Sequence, residues 1–268
     1  MVCHFRKKFH KRIKSFLVIC CFVSPTYFIY SHRLVKEEPL CLKNTCSCET
    51  CISDRGISHW FDRRFNSSIQ PQLTSNNENI PREVLLWWLT LQSRHPRVNI
   101  IHSKLFEAMP KSDPSQSASP CRCRSCAVVG NSGNLKGSNY GELIDSQDFV
   151  IRMYRRVKSY IKADRDKISI FHPTFFKYVH DEWTEHHGRY PSTGMLALIF
   201  GLHICDQLSV FGYGVDKDGN WHHYWENNRL AGAFHITGVH NATCETRIIS
   251  HLAEIGKIQL YRGRHGAS

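Results

Sequence analysis

Residues Cys126 to Gly141 read CAVVGNSGNLKGSNYG. Ala127, Val128 and Val129 form a short apolar run, closed at Gly130 and followed by a turn rich in glycine and asparagine. A buried strand that opens into such a turn is how doubly wound α/β proteins present backbone N–H groups to a nucleotide. By itself Gly130-Asn131-Ser132-Gly133-Asn134 is only a turn, because it fits neither the P-loop spacing nor the dinucleotide fingerprint. Working outward, Lys167 to Phe171 and Leu208 to Gly212 also read as strands, and Gly194 to Cys205 reads as a helix between them. The order strand, helix, strand predicts an α/β fold, a parallel sheet flanked by crossover helices.

Upstream, Pro81 opens an aromatic run, EVLLWWLTLQ, whose apolar spacing predicts a helix packed on the same domain. Lys111 to Pro120 is a loop by composition. At the start of the chain, residues 1–15 hold Arg6, Lys7, Lys8, Lys11, Arg12 and Lys14 and no acid, which is half of the formal net charge of +12. Phe16 to Tyr30, FLVICCFVSPTYFIY, follows as an apolar segment extendable through Val35. A bilayer crossing needs about 17–25 such residues. The basic excess before it places the N-terminus in the cytoplasm. The expected organisation is a cytoplasmic tail (1–15), a signal-anchor transmembrane helix (16–35), a polar luminal stem (36–58) and one catalytic or binding domain (59–268). A cleaved signal peptide is the rival reading, but no convincing small-x-small cleavage site precedes Lys36.

Hydrophobic residues make up 41% and aromatic residues 12% of the chain, as in a globular protein. The modestly basic remainder suits an anionic small substrate. Nucleic acid is not the expected partner, since no zinc-finger, basic-zipper or RNP pattern accompanies the charge. Beyond the anchor stand nine cysteines, which in an oxidising compartment implies disulfides with one thiol left over. The spacing Cys-x-Cys-x-x-Cys occurs at Cys46/Cys48/Cys51 and again at Cys121/Cys123/Cys126, and zinc is its competing explanation. Asn66-Ser67-Ser68 is a glycosylation acceptor sequence in keeping with a luminal domain.

Three further segments carry chemistry. Pro191-Ser192-Thr193-Gly194 opens the predicted helix, where hydroxyls can cap and free N–H groups can hold a phosphate. Trp221-His222-His223-Tyr224-Trp225-Glu226-Asn227-Asn228 is too dense in imidazole, indole and amide groups to bury without partners, and so reads as a site. Its two histidines and Glu226 admit a metal, although adjacent histidines diverge in most backbone geometries. His240 stands five positions before Glu245. Histidine titrates near neutrality and is the natural side chain for taking a proton from a hydroxyl.

In this order the segments resemble the sialyl motifs of the sialyltransferases. Cys126–Met153 is similar to the large motif, Tyr190–Gly212 to the small motif, the His222-His223-Tyr224 region to the third, and His240–Glu245 to the very small motif. The runs GRYPSTGM, GNWHHYWENN and YRGR are most similar to the β-galactoside α-2,3 enzymes of the core-1 O-glycan type. The resemblance implies a Rossmann-like variant of the nucleotide-sugar glycosyltransferase A-type fold. It implies an inverting transfer of sialic acid from CMP-sialic acid to the 3-hydroxyl of galactose in Galβ1-3GalNAc, on a glycoprotein or glycolipid, with no cofactor and no metal. It also implies a Golgi membrane location, single-pass with the catalytic domain in the lumen, and leaves a homo-oligomer open. His240 falls on the general base and His223 on the donor to the departing phosphate. Asn131, Ser132, Ser192, Thr193, Gly194, Trp221 and His222 fall at donor-binding positions, and Tyr154, Tyr190 and Gln92 at acceptor-binding ones. Cys126 and Cys205 match the bridge between the large and small motifs.

The chain departs from that pattern after Arg152-Met153. Relatives continue with a nucleotide-contacting asparagine and several tens of residues that include further strands, whereas Tyr154 here already resembles the downstream acceptor-side tyrosine. An internal deletion between 153 and 154 is the expectation, with loss of central strands and weak or no activity. Asn241-Ala242-Thr243 is a second glycosylation acceptor sequence, expected to stay unmodified because a glycan there would crowd the base.

Overall fold

A computed structural model of the chain describes residues 46–74, 77, 79–91, 122–152, 170–215, 224 and 238–264. Cys46–Ser268 form one compact unit, separate from Met1–Thr45. The expected cytoplasmic tail and anchor lie outside the described residues, among which no helix is long and apolar enough to cross a membrane.

Among the described residues four parallel strands form the sheet, in the order β2-β1-β3-β4: β1 Ser125–Val129, β2 Phe149–Arg152, β3 Gln207–Phe211 and β4 Gln259–Tyr261. Helices α1 His59–Arg64 and α2 Arg82–Thr90 precede it, and α3 Gly141–Asp145 links β1 to β2. Helix α4, Pro173–Tyr178, continues into a π-helical turn, Val179–Trp183. Helix α5, Thr193–Ile204, leads into β3, and α6, Ala242–Glu254, leads into β4.

The strands alternate as a sheet covered on both faces requires. Cys126, Val128, Leu208 and Val210 point into the larger core with α5, whereas Ala127 and Phe211 point to the other face, where Ile144, Tyr140 and Tyr261 pack. Helix α5 shows no amphipathic stripe because almost every residue from Met195 to Leu202 is buried between the sheet and the π-helical turn. Such a helix derives its stability from burial, about 1.5–3 kcal/mol for each large apolar side chain.

Two expectations need correction. Lys167 to Phe171 does not continue as a strand through its described residues. Phe171 makes one isolated antiparallel bridge, to Gln72, and Pro173, at the first helical position, then starts α4. Residues 46–58, assigned to a stem, belong instead to the folded unit. Ile52 is 3% exposed and its N–H donates to Asp206 O at 2.9 Å. The buried Lys257 ammonium donates to Ile52 O (2.8 Å) and Asp54 O (2.6 Å).

Disulfides join Cys46 to Cys51, Cys48 to Cys123 and Cys126 to Cys205. Sulfurs so paired cannot ligate zinc, which removes that reading of the first cysteine cluster. Cys244 is the unbridged cysteine among the described residues, and burial raises its pKa, keeping it a thiol.

Candidate active site

Strand order fixes where a ligand can enter. The chain passes from β1 to β2 on one side and later adds β3 and β4 on the other, so the order reverses between β1 and β3. In open α/β sheets that reversal leaves a crevice at the carboxyl ends of the strands. The turns that follow β1 and β3 meet there. Gly130 N donates to Phe211 O (2.7 Å) and Ser132 N to Gly212 O (3.2 Å). A Cβ on Gly130 would lie 2.4 Å from Gly212 O, and Gly212 itself has φ +68°, so neither position has room for another residue in this backbone.

A helix that crosses between parallel strands runs antiparallel to them, so the N-termini of α5 and α6 also lie at the carboxyl edge. The Tyr213 hydroxyl, just past β3, donates to Gly194 O at 3.0 Å and fixes this for α5. Burial keeps that hydroxyl a phenol, its pKa pushed well above the ordinary value. Ser192 caps α5, its Oγ accepting from Met195 N. Thr193 and Gly194 then hold the first N–H groups of the helix, which have no acceptor within it. Asn241 caps α6 in the same way through Cys244 N (2.9 Å), so the side-chain oxygen of that acceptor sequence serves the helix.

One carboxylate ties the two helix ends together. Glu245, in the first turn of α6 and 8% exposed, accepts from Ser192 N at 2.7 Å and Ser192 Oγ at 2.5 Å. Burial pushes this carboxyl above the ordinary range, against the pull of the Ser192 hydrogen bonds and of the nearby His240 ring.

His240 sits just before the α6 cap. Its Nδ1 is 2.9 Å from Tyr190 O. A carbonyl oxygen only accepts, so Nδ1 carries the proton and the lone pair of the neutral ring falls on Nε2. The Tyr190 ring stands edge-on to the imidazole, centroids 4.8 Å apart. The strap that delivers Tyr190 is held by Arg189 N on Val239 O (2.9 Å) and by a bridge between Gly188 and His240. Gly188 has φ +82°, and a Cβ there would lie 3.0 Å from Asn241 N and 3.2 Å from the His240 Cα.

Asn131, Ser132, Ser192, Thr193, Gly194, Tyr190 and His240 thus gather at one edge of the sheet. Their side chains are not all turned to a ligand: the Ser132 hydroxyl, itself accepting from Asn134 N, donates to Gly214 O, and that of Ser192 is held between its cap and Glu245. Trp221, His222, His223, Tyr154 and Gln92 lie outside the described residues. Tyr224 donates its N–H to Asn131 O at 2.6 Å, which brings that one described residue of the third motif to the β1 turn. Cys126–Cys205 ties β1 to the end of α5. Asn66 is exposed, its Oδ1 accepting from Ser68 N and Oγ. Sequence reasoning gave no role to the Tyr190 carbonyl or to Glu245. Only the spacing of His240 and Glu245 hinted at the latter, and its partner Ser192 lies 53 positions away.

A family model described as glycosyltransferase family 29 (sialyltransferase) matches residues 72–160 and 153–257. CMP-N-acetylneuraminate-beta-galactosamide-alpha-2,3-sialyltransferase 2 of Rattus norvegicus is 41% identical over 293 aligned residues, covering 86% of this chain and 83% of its own length. The type 1 enzyme of Sus scrofa is 37% identical over 339 residues, covering 97% and 99%. Both alignments are longer than the 268-residue chain, so these relatives have positions that it lacks. Among solved structures, a mammalian sialyltransferase superposes with a TM-score of 0.71 at 36% identity, covering 82% of this chain and all of the other. The same kind of protein solved with Gal-beta-1-3GalNAc-ortho-nitrophenol gives a TM-score of 0.69. The extent of these matches, on a parallel sheet with these motifs at its carboxyl edge, settles the family: the chain belongs to glycosyltransferase family 29, the sialyltransferases.

Proposed function

We propose that the chain binds CMP-sialic acid in the crevice between the β1 and β3 turns and transfers sialic acid to the 3-hydroxyl of a terminal galactose in Galβ1-3GalNAc. The observation that carries this reading is the convergence of two helix N-termini and an imidazole with its lone pair on Nε2 at one sheet edge. Each N-terminus presents unsatisfied N–H groups and about half a positive charge, which favours the phosphate of the donor. In the reaction the galactose oxygen bonds to the anomeric carbon of sialic acid as the bond to the phosphate oxygen breaks. The hydroxyl proton passes to His240 Nε2, and the electron pair leaves on CMP, where His223 donates. Attack opposite the leaving group inverts the anomeric centre. The helix ends and His223 supply the charge stabilisation, so no metal enters the scheme. Asn131, Ser132, Trp221 and His222 complete the donor side, and Tyr154, Tyr190 and Gln92 the acceptor side. The disulfides among the described residues support a luminal domain, and with the anchor at 16–35 they suit a single-pass Golgi membrane protein glycosylated at Asn66.

A second reading, a catalytically silent form that keeps nucleotide and glycan binding, is favoured by the join at Met153–Tyr154. The two stretches matched by the family model meet at 153–160, and the aligned relatives are longer than this chain. An internal deletion there accounts for both. Among the described residues β2 has a neighbour only on its β1 side, and a doubly wound sheet usually continues past that strand. We therefore expect transfer to be slow. The purified chain is incubated with CMP-sialic acid and Galβ1-3GalNAc, product is followed by mass spectrometry, and CMP binding is measured in parallel. Transfer that falls at least about a hundredfold in His240→Ala, with CMP binding retained, supports the enzyme. CMP binding without transfer supports the silent form. Absence of CMP binding refutes both.

A further inference from the structure

Away from the proposed crevice, the π-helical turn Val179–Trp183 and the strap after it bring together three groups that no step above uses. One ligand atom each from His180, Asp181 and His186 lies within 4.8 Å of the others. The His180 ring is 6% exposed, and its Nδ1 has no hydrogen-bond partner. Asp181 Oδ1 is likewise buried and has no hydrogen-bond partner. Its other oxygen takes the Lys177 ammonium at 2.5 Å, which leaves Oδ1 as a single donor atom. His186 comes back over this pair because Glu185 and His186 both have positive φ, +47° and +62°, and because His186 N donates to His180 O at 3.0 Å. The two imidazoles then stand edge to face with centroids 5.1 Å apart, and His186 Nδ1 lies 3.6 Å from Asp181 Oδ1, too far for a hydrogen bond. Trp87 of α2 stacks on His180 at 5.4 Å and closes one side.

We propose that His180, Asp181 and His186 bind a divalent transition-metal cation of the zinc class. Two imidazoles and one carboxylate are a usual zinc donor set, with water at the fourth position. Metal–ligand distances of about 2.0–2.2 Å put tetrahedral ligand atoms about 3.4 Å apart. The three ligand atoms now lie within 4.8 Å of one another, so they must close in by up to about an ångström, a movement that falls mainly to the exposed His186. Lys177 orients the ligating carboxylate from its far oxygen, as outer partners of zinc ligands do. The ion takes no part in sialyl transfer. It fastens His186, the start of the strap that leads through Gly188 to the Tyr190 carbonyl holding the His240 ring. The site connects the acceptor side of the crevice to α2 and α4.

The test uses the full chain, purified without a histidine tag, treated with chelator, desalted and titrated with Zn2+ near neutral pH. One saturable Zn2+ per chain and a rise in melting temperature are expected, both weakened more than about tenfold in affinity by His186→Ala and by the near-isosteric Asp181→Asn. Co2+ should give the visible bands of a four-coordinate nitrogen and oxygen site with no sulfur charge-transfer band. Absence of saturable binding overturns the proposal. So does unchanged affinity in both variants, loss of binding in His222→Ala or His223→Ala instead, or a sulfur band, which would place the ion on a cysteine. His186 is exposed and its alanine variant should fold; if it does not, the Zn2+ affinity of Asp181→Asn decides between the two outcomes.

Discussion

Glu245→Ala tests whether the two helix ends are held together as described. The substitution removes both hydrogen bonds from Ser192, at 2.7 and 2.5 Å, and leaves the Ser192 N–H facing a hole. A hydrogen bond to a charged group contributes about 1.5–3 kcal/mol. The two bonds share one donor residue, so they do not add in full, and the cost of burying the carboxylate, visible in its raised pKa, offsets part of them. A net loss of about 2 kcal/mol is expected, which lowers the melting temperature of a domain of this size by about 4–8 °C. CMP affinity should fall with it, because Ser192 positions the α5 N-terminus. Glu245→Gln adds a pH arm. A carboxyl whose folded pKa is raised contributes most to stability below its unfolded value, and that contribution is lost as pH rises through the folded value. Lowering the pH from neutral should therefore favour the parent protein over Glu245→Gln. The assay is thermal unfolding from neutral to acid pH, with CMP titrated into each variant. A melting temperature and CMP affinity both unchanged in Glu245→Ala would refute the reasoning.

Cys126→Ser opens a bridge between residues 79 apart and should cost on the order of 4 kcal/mol by loop-entropy reasoning, seen as a lower melting temperature under non-reducing conditions. Gly188→Ala places a Cβ against the His240 backbone at φ +82°, a strain of about 1–2 kcal/mol, and should reduce transfer while CMP affinity is kept. Equal loss of both would place Gly188 in the general fold rather than at the base.

The elements legible in the sequence are those that carry their own local signal. Strand β1 is an apolar run ended by Gly130, β3 is another ended by Gly212, and α5 is announced by the Ser192 cap and a long apolar stretch. Phe171 misled because a run of apolar residues does not reveal that the next element starts at Pro173. Residues 46–58 look polar and cysteine-bearing, like a stem. What fixes this segment is remote: Lys257 on the Ile52 carbonyl, 205 positions on, and the bridge from Cys48 to Cys123. The site divides along the same line. Residue types at motif spacing could be read off, such as the cap at Ser192 or His240 ahead of a helix. The Tyr190 carbonyl that sets the His240 tautomer could not, since every residue carries a carbonyl and only the folded strap selects one.

The claim on which all of this depends is that the carboxyl edge between β1 and β3 receives the nucleotide. A crystal structure of the chain soaked with CMP measures this directly. The account predicts the phosphate within hydrogen-bond distance of the Thr193 and Gly194 N–H groups, with the cytidine against the Asn131 turn. Ordered CMP on the opposite edge of the sheet, or a phosphate remote from both helix N-termini, would contradict it.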